Sequence, residues 1–524
     1  MRIVVADDLP ASSLELLRAE SGWVVDARSG RTPDALAADI ADADALLVRS
    51  ATKVDARLMD ASPGLRIIAR AGTGVDNVDV AAASARGILV VNAPGANSIS
   101  VAEHACALML ALARSVPAAD HAMKSAKWEK KRFLGSELRG KTLGIAGLGR
   151  IGQEVAQRAR AFGMRVVAHD PYISGELAAG LGVELMSLDD VCANADYLTL
   201  HLPSTAETKH LFDDRRFARC KRGIRLINTA RGELIDEAAL RRAIESGSVG
   251  AAALDVFETE PPADWSLAQL PQVIATPHIA ASTVEAQELV GEEIVASVRA
   301  YLAEGVIRNA VNFPSIPPEE YPRLRPQLQL AQKLGALIAQ LMPAAPESIG
   351  IRYYGPLTTQ YESVIGSAVL AGALSPFLAS VTPVNARSLA SQRGLEVIES
   401  RSTRSRDYVN VISVKLRAGG QERWVEGTVF EPASPRLVTL DGVDIEAPLS
   451  GTGVLISNQD RPGVIGDIGT TLGRHGINIA SFALGRSDAG AVGVITVDEH
   501  GALAAAVEEM RKLPAIREAK VVRL

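Results

Sequence analysis

Three side chains that could act together, Arg231, Glu260 and His278, lie in segments that close apolar runs: Asn228-Thr229-Ala230-Arg231-Gly232, Leu254-Asp255-Val256-Phe257-Glu258-Thr259-Glu260-Pro261-Pro262 and Ala275-Thr276-Pro277-His278-Ile279-Ala280-Ala281. Oxidation of a secondary alcohol by hydride transfer to a nicotinamide needs a base for the hydroxyl proton and a cation for the substrate carboxylate. His278 suits the first task and Arg231 the second. Glu260, positioned by the stiff Pro261-Pro262 pair, could fix the imidazole tautomer and raise its pKa. Taken singly, a histidine is commonly a surface residue and an arginine before glycine a helix-cap neighbour. Their order after a nucleotide fingerprint is what points to catalysis.

That fingerprint is Gly147-Leu148-Gly149-Arg150-Ile151-Gly152, which closes the apolar run Lys141–Ala146. Gly147 permits a tight turn, Gly149 lets backbone approach a pyrophosphate, and Gly152 allows close helix packing, while the helix N-terminus offers free N–H groups. Asp170 follows a second strand pattern at the distance expected of a ribose ligand, and its charge would repel a 2′-phosphate. NAD is therefore the expected cofactor. The edge that presents Arg231 also presents Thr229 and Ala230.

These residues need elements to position them. From Met1 to about Asn97, short apolar runs (Arg2–Ala6, Ala45–Arg49, Leu65–Ala69, Ile88–Asn92) alternate with helical stretches, as in a parallel α/β sheet. A second alternation starts at Lys141, with strands expected near Arg165–His169, Tyr197–His201, Arg225–Asn228, Ala251–Val256 and Val273–Thr276. Two long helices, Ser100 to Arg114 and Val284 to Glu304, are candidate bridges between the sheets. The fingerprint begins almost 150 residues into the chain, so the nucleotide-binding unit reads as an insertion: a substrate-binding unit from 1–97 and 283–312, and a Rossmann unit from 98–282. The first unit supplies the other wall of the cleft. Arg49 and Ser50 end a strand, Gly72-Thr73-Gly74-Val75 is a glycine turn able to nest a carboxylate, and Asn97 sits near the hinge.

After Asn312 a proline-rich connector, Asn312-Phe313-Pro314-Ser315-Ile316-Pro317-Pro318, stops any preceding element. Residues 319–447 show one helical stretch, Leu324 to Leu341, and candidate strands at Ser348–Tyr353, Val409–Leu416 and Arg423–Phe430. The tail from 448 to 524 reads βαββαβ, a ferredoxin-like order. The fold class is thus α/β, with two doubly wound parallel sheets (a Rossmann unit within a flavodoxin-like one), then an α+β unit and a ferredoxin-like unit.

Composition bounds the alternatives. The 524-residue chain is 47% hydrophobic and 22% charged, with a formal net charge of −6, so neither nucleic acid nor an anionic membrane is an expected partner. The densest basic run, Lys124 to Phe133, reads either as a solvated helix face or as a rim that attracts an anionic substrate. Cys106, Cys192 and Cys220 lack metal-site or redox-pair spacing, and no signal peptide is evident, which fits a reducing cytoplasm. Val101 to Val116 is too short and too polar to span a membrane.

In this combination the chain resembles the D-isomer-specific 2-hydroxyacid dehydrogenases over about residues 1–312, with Arg231, Glu260 and His278 matching their arginine, glutamate and histidine. The resemblance implies that Thr73, Arg150, Ile151, Asp170, Ala230 and Asp255 meet the cofactor, with Thr229 and Ala281 beside them and Asp255 at the nicotinamide amide. Val48–Val54, Arg70–Asn77 and Lys127–Lys131 look like the members that oxidise 3-phospho-D-glycerate to 3-phosphohydroxypyruvate at the start of L-serine synthesis. For a substrate with a second anion, Arg49 and Lys131 are the candidate cations. The alternatives are a hydroxypyruvate or glyoxylate reductase, and a non-catalytic NAD sensor.

Asn458-Gln459-Asp460-Arg461-Pro462-Gly463-Val464-Ile465-Gly466 and Gly476-Ile477-Asn478-Ile479 resemble an ACT-type regulatory domain, and 319–447 the intervening domain of the long forms. The resemblance implies L-serine as effector, with Asp460 toward its ammonium, the following helix N-terminus toward its carboxylate, and Asn458 and Asn478 nearby. A dimerisation module without ligand is the plainer reading of the same domain. A homodimer or homotetramer is expected.

Overall fold

The structure, a computed structural model, describes residues 1–317, 319–404, 406–430, 432–488, 490–498 and 502–524. Pro318, the last proline of the connector, lies outside the described residues. Four sheets follow one another along the chain. β1 (Arg2–Val5), β2 (Val24–Ala27), β3 (Ala45–Val48), β4 (Ile67–Arg70) and β5 (Leu89–Asn92) form a parallel sheet ordered β2-β1-β3-β4-β5. β6 (Thr142–Ala146), β7 (Arg165–His169), β8 (Glu184–Leu185), β9 (Tyr197–Leu200), β10 (Ile224–Asn228), β11 (Val249–Leu254) and β12 (Val273–Ala275) form a second, ordered β12-β11-β10-β9-β6-β7-β8. Both orders reverse direction beside the first strand of the unit, and ligands of doubly wound sheets bind outside the carboxyl ends of the strands at such a point.

The chain crosses between these sheets twice. Helix Ser98–Arg114 packs on helix Arg150–Ala161 and on β10 and β11, whereas helix Val284–Arg299 packs on helix Ala11–Arg18 and on β4 and β5. Beyond it, Ala310 bridges to Val91 in β5, and Asn312 bonds the Val90 N–H, the Ile88 carbonyl and the Ser84 hydroxyl at 2.9 to 3.0 Å. The residues after Val284 therefore return to the first sheet. The edge strands β2 and β8 were not expected from the sequence. Each is short, and β2 carries Asp26 within a web of Arg28 and Arg31 rather than an apolar run.

β13 (Ser348–Tyr354), β14 (Glu396–Ser402), β15 (Val411–Ala418), β16 (Gln421–Phe430), β17 (Ser434–Leu440) and β18 (Val443–Pro448) form a mixed sheet ordered β14-β13-β15-β16-β17-β18, in which only β13 and β14 pair in parallel. β19 (Thr452–Asn458), β20 (Ile479–Ser487), β21 (Gly490–Val497) and β22 (Ile516–Arg523) form an antiparallel sheet ordered β20-β21-β19-β22, the ferredoxin-like arrangement.

The one helix expected in the third region, here Tyr321–Leu341, has company: Pro356–Gln360, Glu362–Leu374 and Ala386–Gln392 are also helical. Every residue from Val364 to Leu374 is buried, so that helix shows no amphipathic period to read. It packs on Tyr321–Leu341 at glycines. A methyl group at Gly335 would lie 2.1 Å from the Val369 carbonyl oxygen, and one at Gly372 would lie 2.0 Å from that of Gln332. One apolar core runs from Ile3, Leu47 and Leu89 through Val298, Ile316 and Leu324 to Ile338, Ile349 and Ile412. Among the described residues no single helix is long and apolar enough to cross a membrane.

Gly335→Ala should lower stability by about 1–3 kcal/mol, because two helices at backbone contact have no room for the methyl. The measurement is the unfolding transition in denaturant, and an unmoved midpoint would show that the helices separate freely.

Candidate active site

The carboxyl ends of the first two sheets face each other across a cleft of about 820 Å³. From the first unit it is lined by Arg49, Ser50, Gly72, Thr73, Gly74 and Asn97, and from the second by Ile151, Thr229, Ala230, Arg231, Glu260, His278 and Ala281. Residues drawn from both ends of the expected site thus share one cavity. Arg70, Asp76 and His201 also line it, and they were not singled out from the sequence.

His278 Nδ1 lies 2.6 Å from Glu260 Oε2, and Glu260 Oε1 accepts the Phe257 N–H at 3.2 Å. Both carboxylate oxygens are committed, so the ring orientation is set. With Nδ1 donating, Nε2 is the nitrogen left to accept a proton. The Glu260 hydrogen bond holds His278 above the ordinary histidine value, working against partial burial, and the charges of Glu260 and Asp255 add to it. Gly232 makes the approach possible: a methyl there would lie 1.9 Å from the Phe257 carbonyl carbon. The loop carrying Glu260 therefore rests directly on the turn that carries Arg231.

His278 itself adopts φ 52°, a left-handed conformation costly for a residue with a Cβ. Asp255, which has no exposed surface, holds the turn in place. Its carboxylate accepts the N–H groups of Ile279 and Ala280 at 2.9 Å each and the Thr276 hydroxyl at 2.5 Å, while its carbonyl accepts the His278 N–H at 2.8 Å. Burial opposes ionisation of Asp255, yet the hydrogen bonds from His104, Thr276, Ile279 and Ala280 leave its carboxyl below the usual range. The structure thus places Asp255 beneath the His278 turn instead of on the wall of the cleft.

Opposite stands a cluster of cations. Arg231 Nε and Nη2 lie 3.0 and 2.9 Å from Asp76 Oδ2, an ion pair across the cleft. Arg70 folds back over Gly72, where a methyl would lie 1.7 Å from its Nη1, and its Nε is buried without a hydrogen-bond partner. Burial, and then the charge of Arg231, bring the Arg70 pKa down to about 10. Arg49 is fixed through its backbone N–H to Asp7 at 2.6 Å. An anion arriving here meets the desolvated Arg70 guanidinium, repelled by the charges of Arg231 and Arg49 beside it.

The glycine turn is shaped for a dinucleotide. Gly147 has φ 94° and abuts the His201 carbonyl, a methyl at Gly152 would lie 2.2 Å from the Gly147 carbonyl oxygen, and Gly149 faces open space. Asp170 accepts the Leu148 N–H at 2.8 Å and the Tyr172 N–H at 2.9 Å, which holds it beside the turn. Arg150 reaches from the start of its helix to the Pro94 carbonyl of the first unit. Thr229 Oγ1 and His201 Nδ1 are buried without partners at the cleft, groups that a ligand could satisfy. This cradle fits NAD: backbone N–H groups for the pyrophosphate, a carboxylate for the ribose, orphaned polar atoms further in.

Four expected site residues lie elsewhere. Lys131, on the single-turn helix Lys130–Phe133, does not line the cleft. Asn458, Asp460 and Asn478 belong to the fourth sheet and its loops. Asn458 is buried, Asp460 Oδ1 lies 3.6 Å from Arg486 Nε, and Asn478 donates to Asp498 Oδ2 at 2.6 Å.

A cofactor turn facing an arginine and a carboxylate-bound histidine defines an NAD-dependent oxidoreductase of the D-isomer-specific 2-hydroxyacid dehydrogenase class. The family description "D-isomer specific 2-hydroxyacid dehydrogenase, NAD binding domain" matches residues 106–280, "D-3-phosphoglycerate dehydrogenase intervening domain" matches 323–441, and "ACT domain" matches 452–515. The D-3-phosphoglycerate dehydrogenase of Methanocaldococcus jannaschii is 41% identical over 527 residues, covering 100% of both chains. That of Mycobacterium tuberculosis is 44% identical over 519 residues, covering 97% of each. The structure of D-lactate dehydrogenase from Aquifex aeolicus complexed with NAD and lactic acid covers 60% of this chain and 100% of its own, at 30% identity and a TM-score of 0.53. The chain belongs to the D-3-phosphoglycerate dehydrogenase family.

Since Glu260 raises the His278 pKa, and a general base must be neutral, kcat/KM should fall as pH drops through that raised value. Glu260→Gln should move this acid limb to lower pH while reducing the maximal rate. A limb that stays in place would show that Glu260 does not tune the imidazole.

Proposed function

We propose that this enzyme oxidises 3-phospho-D-glycerate to 3-phosphohydroxypyruvate, the reaction in the name of its full-length relatives. The observation that carries the reading is the convergence of Arg49, Arg70 and Arg231 on the cleft of His278, more positive charge than one carboxylate requires. In this reading Arg231 exchanges Asp76 for the substrate carboxylate and for the oxygen that becomes a carbonyl, while Arg49 and Arg70 face the phosphate. His278 Nε2 takes the hydroxyl proton, and Glu260 stabilises the imidazolium that results. Bound NAD would supply the acceptor for the hydride from C2. Thr73, Gly147, Gly149, Arg150, Ile151, Gly152, Asp170, Thr229, Ala230 and Ala281 would hold it, Asp255 supports that wall from beneath without reaching the nicotinamide, and Ser50, Gly72, Gly74 and Asn97 complete the substrate wall. Closure about Asn97 and Ser282 excludes water. A reductase for smaller keto acids would leave the extra arginines without an anion, and a sensor would not need the His278–Glu260 pair.

In the same reading the domains are 1–97 with 283–312 for substrate, 98–282 for NAD, 319–447 as the intervening domain and 448–524 as the ACT domain, which the two chain crossings support. L-serine, held by Asp460 and the start of helix Val464–Arg474 with Asn458 and Asn478 shaping the loops, is the proposed effector. A homo-oligomer, dimer or tetramer, is supported by the exposed apolar side chains Val116, Met123, Trp128 and Leu134 that follow helix Ser98–Arg114, the last two 79% and 93% exposed. Lys131 lies in the same stretch and would reach a substrate only where a second copy brings it to a cleft. The three free thiols fit a reducing cytoplasm.

Initial rates with 3-phosphoglycerate and NAD test the reading directly. His278→Ala should lose about a hundredfold to ten-thousandfold in kcat while NAD still binds, and full turnover in that variant would overturn the assignment. Faster reduction of hydroxypyruvate with NADH than of 3-phosphohydroxypyruvate would favour the reductase. Addition of L-serine should slow the parent enzyme, and Asp460→Ala should relieve that inhibition; equal inhibition of the variant would place the effector elsewhere.

A further inference from the structure

His104 lies in an apolar stretch of helix Ser98–Arg114, where a histidine reads as part of the packing, but its contacts are polar. Nε2 is 3.2 Å from Thr276 Oγ1 and 3.4 Å from Asp255 Oδ1. The tautomer follows from the partners. Thr276 gives its hydroxyl proton to Asp255, and a carboxylate only accepts, so the ring nitrogen facing both must carry a hydrogen. His104 thus supplies the outermost of the donors that keep Asp255 ionised under the His278 turn.

One helical turn earlier, Ser100 Oγ lies 2.8 Å from Thr283 Oγ1, and Thr283 in turn caps helix Val284–Arg299 by accepting the Ala286 N–H at 3.1 Å. Residues four apart share a helix face. Ser100 and His104 therefore grip the segment 276–283 at both of its ends, with His278 between. The same helix begins at Asn97, whose Oδ1 accepts the Thr73 hydroxyl of the substrate unit at 2.8 Å. A continuous set of bonds joins the substrate wall to the imidazole that must meet the substrate.

We propose that His104 is a positioning residue for proton transfer: with Ser100 it fastens the His278 turn to helix Ser98–Arg114, so that the imidazole travels with the hinge helix as the cleft closes. This rests on the reading of His278 as the base. Without the His104 donor, Asp255 and Thr276 lose their tie to helix Ser98–Arg114 and are free to shift, the turn they hold relaxes from its left-handed conformation, and the bond to Glu260 lengthens. The His278 pKa then falls toward its ordinary value.

The test uses the full chain with His104→Leu, which keeps the bulk and removes the donor, and His104→Gln, whose amide can stand in for Nε2. His104→Leu should lower kcat roughly tenfold to a hundredfold, leave the affinity for NAD within about twofold, and move the acid limb of kcat/KM to lower pH. The His278 imidazole pKa of the free enzyme, read by NMR on histidine-labelled protein, should drop in parallel. His104→Gln should recover most of both. If His104→Leu does not fold, His104→Asn, polar but too short to reach Asp255, takes its place. A kcat within twofold of the parent with an unmoved His278 pKa overturns the proposal, as does a His104→Gln variant no better than the leucine one, which would mark a packing role. Full activity of His278→Ala would instead overturn the reading of the base, independently of His104.

Discussion

A carboxylate with no contact to solvent is stable only when its lost hydration is replaced by donors, and the active centre is built around one such group. Asp255 collects two backbone N–H groups, a hydroxyl and an imidazole N–H, and in doing so it dictates the path of the chain through His278. The left-handed conformation at His278 persists because those bonds over-determine it. Glu260 then has a ring in fixed orientation to bond. The His278–Glu260 pair is thus half exposed, while the group that locates it is fully buried.

The opposite wall works by a different balance. Arg49, Arg70 and Arg231 crowd one end of the cleft, and the protein offsets them in part with Asp7 and Asp76. Asp76 is itself a carboxylate, so the arginine proposed to take the substrate carboxylate already rests on one. An incoming anion exchanges one carboxylate for another and gains most from Arg70, whose buried Nε has no partner. In the proposed reading, specificity for a substrate with two anionic ends rests on this arrangement more than on the shape of the cavity.

Much of this was legible in the sequence. Arg231, Glu260 and His278 each follow a strand pattern and sit beside glycine or proline, and the Gly147 turn carries its spacing on its face. Arg70 was not, because a strand-final arginine looks like a surface residue until Gly72 shows that the guanidinium folds inward. Nor was His104, whose partners lie more than 150 positions away in the chain. The helix Glu362–Leu374 escaped for a different reason: complete burial erases the period that marks a helix. Local pattern reports what the backbone does, and long-range polar contacts report which side chains matter.

The proline-rich connector behaves as masonry rather than rope. Asn312 is bonded into the strand edge at Ile88 and Val90, Phe313 and Ile316 are buried in the shared core, and Thr382 and Asn385 of the third unit reach the carbonyls of Gly87 and Ala85 at the other side of the same turn. Two grips on one turn leave little room for the appended units to swing independently. The turn leads into β5 and on to Asn97, where the hinge helix begins. The C-terminal half of the chain is consequently not a removable cassette: cutting after Asn312 would take away Phe313 and Ile316 and strip cover from Leu302 and Ile307, leaving the catalytic half with a new greasy face to hide.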